Sequence, residues 1–134
     1  MTSRILKTGS LLLGLCSAVA VLQPGSASAQ DATAGQRVFN QCRACHTIEQ
    51  GGRNGVGPNL HGVVGRKAAS VEGFRYSPAM VAKGKEDWTW TVENLRPYLQ
   101  NPRAVVPGTS MAYPGLRNEQ QLTDLIAYLQ QQSQ

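Results

Sequence analysis

Five consecutive residues have the types and spacing to do chemistry: Cys42-Arg43-Ala44-Cys45-His46. Two thiols three positions apart stand about one helical turn from each other. Each can add across a vinyl group of a haem to form a thioether, and the two vinyls need that separation. His46 follows directly, so its imidazole nitrogen falls beneath the iron as a proximal ligand. Three other uses compete. A dithiol redox pair needs no adjacent histidine and sits at a strand–helix junction, for which this sequence carries no signal. A zinc site needs a second ligand pair, and after residue 29 only His61 is left over. A structural disulfide leaves His46 without a role. The motif therefore points to one covalently bound haem c, held by Cys42 and Cys45 with His46 as a metal ligand.

Three side chains are candidates for the second axial position: Met80, Met111 and His61. Met111 lies in Pro107-Gly108-Thr109-Ser110-Met111-Ala112-Tyr113-Pro114, where two prolines stiffen the loop and hold a thioether at a fixed place. A thioether favours ferrous over ferric iron and raises the potential. A lone methionine is more often core filler, and Met80 is read that way. His61, in Gly57-Pro58-Asn59-Leu60-His61-Gly62, reads as a loop histidine and ranks behind Met111. With both axial positions filled, the iron has no open site for oxygen or peroxide. Such a haem transfers electrons, so the chain is not expected to be an enzyme.

The elements that must position these residues read as helices. Asp31 to His46 has Gly35, Val38, Phe39, Cys42 and Cys45 at helical spacing. Residues 51–84 are rich in glycine and read as wrapping loop, with one helical turn near Ser77 to Ala82. Thr91 to Gln100 reads as a short helix capped by Thr91, although Pro97 conflicts with it unless the helix kinks or begins late. Asn101 to Gly115 reads as a structured loop. Asn118 to about Gln131 is the clearest helix, with Asn118 as cap, Gln121 at the capping-box position, and Leu122, Leu125, Ile126 and Leu129 in one stripe. So much loop in one small domain makes sense if it packs on a large apolar cofactor.

The first 29 residues read as a cleaved signal peptide. Arg4 and Lys7 give a basic start, and the apolar run from Leu11 to Leu22 is shorter than the ~20 residues a membrane anchor needs. Ala27-Ser28-Ala29 fits the cleavage rule, so the cut is expected after Ala29, leaving residues 30–134 as one haem-binding domain. The 134-residue chain carries a formal +5, and losing Arg4 and Lys7 lowers it to +3. That is mild and without basic runs, which argues against nucleic acid. Arg43, Lys85, Arg103 and Arg117 could dock an acidic partner, or be scattered solubility charges.

These residues closely resemble the class I cytochromes c, the group holding mitochondrial cytochrome c and bacterial cytochrome c2. The shared signatures are Cys42 to Thr47, Gly57 to Gly62 with Gly65-Arg66-Lys67, Asn101-Pro102, Pro107 to Met111, and Asp124 to Leu129. The resemblance runs from about Ala34 to Gln130. It implies an all-α fold whose first and last helices cross, with loops wrapping one haem, and Gly35 and Phe39 packed against Leu125 and Tyr128. It implies that the Pro58 carbonyl accepts a hydrogen bond from His46, that Met111 is the distal ligand, and that Tyr98 lies near its sulfur. Arg66, Tyr76, Trp90 (rather than Trp88) and Thr109 would hold a haem propionate. Gln41 and Ser110 stand where the family commonly has lysines.

The expected function is a soluble periplasmic monohaem carrier of single electrons. It would pass them between redox proteins such as a quinol–cytochrome c reductase and an oxidase, reductase or reaction centre, as a monomer with no stable membrane insertion after cleavage. A five-coordinate haem enzyme and a dedicated subunit of one dehydrogenase are the competing readings.

Overall fold

The computed structural model describes residues 30–134; the expected signal peptide and its cut after Ala29 lie outside the described residues. Among the described residues, five helices and the loops between them make up the fold. Helix α1 (Ala32–Phe39) starts where the Asp31 carboxylate accepts from Thr33 N and Ala34 N. It is shorter than the sequence predicts. After Phe39 the bonds tighten to a three-residue step, from Asn40, Gln41 and Cys42 back to Arg37, Val38 and Phe39. Turns of that kind keep nearly the same face inward, so side-chain periodicity alone does not reveal the change. Cys45 N and His46 N both bond to the Cys42 carbonyl, which folds the attachment motif into a single turn.

Helix α2 (Pro78–Lys85) replaces the single turn expected near Ser77. Ser77 caps it by accepting from Met80 N, and Pro78 occupies the first turn, where its missing N–H costs nothing. Helix α3 (Val92–Gln100) begins at the expected Thr91 cap and runs on with Pro97 inside it. Pro97 deprives the Glu93 carbonyl of its helical partner. Glu93 is exposed, so water can serve that carbonyl instead. The expected loop after Asn101 holds a further short helix, α4 (Pro102–Val105), capped by the Asn101 side chain at Ala104 N. Helix α5 (Glu119–Gln131) has Asn118 accepting from Gln121 N, and its stripe of Leu122, Leu125, Ile126 and Leu129 is wholly buried.

The core is built where α1 crosses α5. Gly35 permits the approach: a Cβ there would lie 1.9 Å from the Asp124 carbonyl oxygen. The rings of Phe39 and Tyr128 meet at 5.4 Å. The buried Asp124 carboxylate accepts from Asp31 N at 3.0 Å and from Gln120 Nε2 at 2.8 Å, tying the start of α1 to α5. The long loop is pinned from both sides. Gly62 N reaches the Gln132 carbonyl and Val64 N the Ser133 hydroxyl at the end of α5. Residues 65–68 pair with 88–90 through an isolated bridge between Lys67 and Thr89, which the sequence reading did not foresee. Among the described residues there is no strand, and no helix is long and apolar enough to cross a membrane.

Candidate functional site

The attachment turn, the long loop, α3 and the segment before α5 surround one apolar cavity of about 410 Å³. Its wall contains the ten residues expected to bind haem or iron: Cys42, Cys45, His46, Pro58, Arg66, Tyr76, Trp90, Tyr98, Thr109 and Met111. Trp88 and His61 are not in that wall. Ligand pockets commonly measure about 300–1,000 Å³ with few polar groups, so the space suits one bulky apolar group.

His46 is held from two directions. Its Nδ1 donates to the Pro58 carbonyl at 2.7 Å, which places the proton on Nδ1 and leaves Nε2 with its lone pair. Gly57 lies under the ring, where a Cβ would stand 2.3 Å from His46 Cε1. Burial holds the imidazole below its ordinary range, with the Pro58 bond working the other way, so the ring stays neutral and able to ligate. Pro58 is itself fixed by its neighbour. Asn59 Nδ2 donates to the Thr47 hydroxyl at 2.7 Å and to the Glu49 carbonyl, while its Oδ1 accepts from His61 N. Arg66 closes the web, donating to the Asn59 carbonyl at 3.0 Å and the His61 carbonyl at 2.9 Å. These two bonds use two of the five N–H groups its guanidinium carries.

Met111 lies in the same wall. The Tyr98 hydroxyl donates to its Sδ at 3.3 Å, and the Thr109 hydroxyl accepts from Met111 N at 3.2 Å. Trp90 is buried against Tyr98 at 4.7 Å between ring centroids, with the half-buried Trp88 behind it at 4.5 Å. The Tyr76 hydroxyl accepts from Val71 N. Met80, read as packing, is buried in the cavity wall, so it packs on whatever fills that space.

The donor set fits a covalent haem better than its competitors. Burial, followed by the neighbouring Cys45, pushes the Cys42 thiol up to about 11, whereas redox-active dithiols have depressed values. Among the described residues no three His, Cys, Asp or Glu side chains gather as zinc would need. His61 Nδ1 is buried without a hydrogen-bond partner, but away from the cavity it cannot reach what His46 and Met111 share.

Sequence reasoning missed several wall residues. Gly57 carried a signal, since a glycine before an orienting proline invites the question of what passes over it. Gln41 was marked only by the resemblance, as standing where the family commonly has a lysine; its relation to Tyr113 carried no signal, because it depends on a contact between residues far apart in the chain.

Comparison with known proteins agrees with this geometry. A family model described as Cytochrome c matches residues 32–133. The chain is 46% identical over 121 residues to a cytochrome c2 of Blastochloris viridis, covering 90% of this chain and 91% of that protein. It is 46% identical over 101 residues to a cytochrome c of Stellaria longipes, covering 75% of this chain and 91% of that one. Among solved structures it is similar to cytochrome c2 from Rhodospirillum centenum, with a TM-score of 0.74 and 36% identity over 78% of this chain and 99% of that chain.

Proposed function

The chain belongs to the cytochrome c family, and from that premise we propose that it carries single electrons in the periplasm between redox proteins it meets by diffusion. Members of the family hold one covalently attached haem c and carry electrons without being enzymes. The finer reading rests on one observation above all. Cys42, Cys45, a His46 oriented by Pro58, and a Met111 tied to Tyr98 share one cavity wall.

When bound, the haem supplies a one-electron couple at its iron. The chain does the rest. Cys42 and Cys45 give the two thioethers. Pro58 orients His46 and raises its basicity by accepting a hydrogen bond from its Nδ1–H. Met111 gives a thioether sulfur, and Tyr98 holds that sulfur in place. Arg66, Tyr76, Trp90 and Thr109, all in the cavity wall, would hold a haem propionate, since a buried carboxylate needs partners. Apolar walls keep water out, so little solvent need reorganise when charge changes.

The leader supports export. The match to the Blastochloris viridis protein covers more residues than Gln30 to Gln134 contain, so it runs into the leader. We assign residues 1–29 to a signal peptide cut after Ala29, and residues 30–134 to a monomeric carrier. Its donor and acceptor fall in the classes of a quinol–cytochrome c reductase and an oxidase, reductase or reaction centre.

Protein purified from a host that matures c-type haem provides the test. A low-spin spectrum with two thioethers is expected. Replacing Met111 with alanine should lower the potential and admit cyanide or carbon monoxide. A high-spin ferric spectrum in the unaltered protein would overturn the carrier reading.

A further inference from the structure

The cavity mouth is crossed by a tie that the site chemistry does not use. Gln41 immediately precedes Cys42, and Tyr113 follows Met111 by two positions. The Tyr113 hydroxyl donates to Gln41 Oε1 at 3.0 Å, joining residues 72 positions apart. Both line the cavity; Gln41 is exposed and Tyr113 half-buried, which places the bond at the boundary with solvent. The Met111 loop is otherwise tied at Met111 itself, through Tyr98 and Thr109, and at its two ends. On one side Thr109 N bonds to the Val106 carbonyl, and on the other Leu116 N bonds to the Leu99 carbonyl. Among the described residues, the Tyr113–Gln41 bond is the only hydrogen bond made by residues 112–115.

We propose that Gln41 and Tyr113 form a strap that holds the Met111 loop against the attachment turn and keeps small nitrogen-donor or anionic ligands out of the cavity. Both are positioning residues, acting through Met111, and the inference rests on the reading of Met111 as the distal ligand. With the bond made, Ala112 and Tyr113 cover the sulfur side of the cavity. With it broken, the stretch between Met111 and Leu116 has no polar tie, and the loop swings out on its end anchors. A neutral hydrogen bond of this kind shifts such an opening equilibrium roughly threefold to tenfold.

The test is the rate at which imidazole enters the oxidised holoprotein, followed by absorbance. The proteins compared are the unaltered chain, Tyr113→Phe, Gln41→Ala, the double variant and Gln41→Glu. Each single loss should speed entry roughly threefold to tenfold. The double variant should be no faster than the faster single one, because both remove the same bond. Gln41→Glu keeps an acceptor oxygen and should stay slow, and the thermal midpoint of Tyr113→Phe should barely move. Unchanged single-variant rates, or multiplying effects in the double variant, would overturn the strap. Met111→Ala separates the two readings. If it alone is fast, only the strap fails; if the unaltered protein binds imidazole just as quickly, the ligand assignment fails and the strap with it.

Discussion

Replacing Gly57 with alanine puts the orientation of His46 under direct strain. Gly57 is buried and its φ lies outside the left-handed region, so an alanine there suffers from contact alone. The new Cβ would stand 2.3 Å from His46 Cε1, 2.6 Å from Nδ1 and 2.8 Å from Nε2. Carbon atoms sit comfortably at about 3.5–4.0 Å, so ring or backbone must give by about 1 Å. Nδ1 now lies 2.7 Å from the Pro58 carbonyl. A displacement of ~1 Å takes that pair out of hydrogen-bonding range. An imidazole that has lost this bond is a poorer donor to iron, which favours the ferrous state. Losing about 1 kcal/mol of differential stabilisation, at about 59 mV per tenfold change, raises the potential by roughly 40 mV. Spectroelectrochemical titration of the holoprotein reads that shift, and a guanidinium melt reads the accompanying loss of stability. A potential and a melt both unchanged would refute the reasoning, because the structure leaves that Cβ no free space.

Other substitutions test other parts of the argument. Gly35→Ala gains about 1 kcal/mol of helix propensity, yet its Cβ meets the Asp124 carbonyl and forces α1 off α5. The expected net loss is about 2 kcal/mol, and a melting temperature at or above that of the unaltered protein would sink it. Tyr98→Phe removes the donor at Met111 Sδ, making the sulfur more electron-rich toward ferric iron; the potential should fall by up to about 40 mV, and a rise would contradict the assigned bond. Asp124→Ala removes the acceptor that ties Asp31 N to α5 and should cost about 1–3 kcal/mol, measured by denaturant unfolding with an unchanged optical spectrum.

How much of this was legible follows from what each feature depends on. Cys42, Cys45 and His46 stood out as a candidate attachment site because covalent attachment demands fixed residue types at fixed spacing, and they share one cavity wall. The stripe of α5 was readable because one helix face is buried along its whole length. The end of α1 was not, because a tightened turn after Phe39 preserves the pattern that marks a helix. Pro97 argued against an uninterrupted α3, and only the exposure of Glu93 explains its tolerance. Helix α4 is four residues long, too short for any periodicity to register. Arg66 and Asn59 were visible as motif letters, but their grip on the Pro58 segment comes from carbonyls that carry no sequence signature. The roles of Arg66, Tyr76, Trp90, Tyr98 and Thr109 came from the family resemblance, since nothing in their spacing would single them out.

The crossing of α1 and α5 also sets an order of events in time. Asp31 and Asp124 are bonded across 93 positions of chain, and Phe39 finds Tyr128 only there. On the ribosome α1 emerges long before its partner exists, so Phe39 has nothing to pack against until α5 has been made. Closing the core is therefore a late, non-local step that carries the loop-closure entropy of nearly the whole domain. A chain proposed to be threaded through a membrane by its leader benefits from that delay. Under that proposal it would stay open during passage and complete its core only on the far side, where the last helix meets the first.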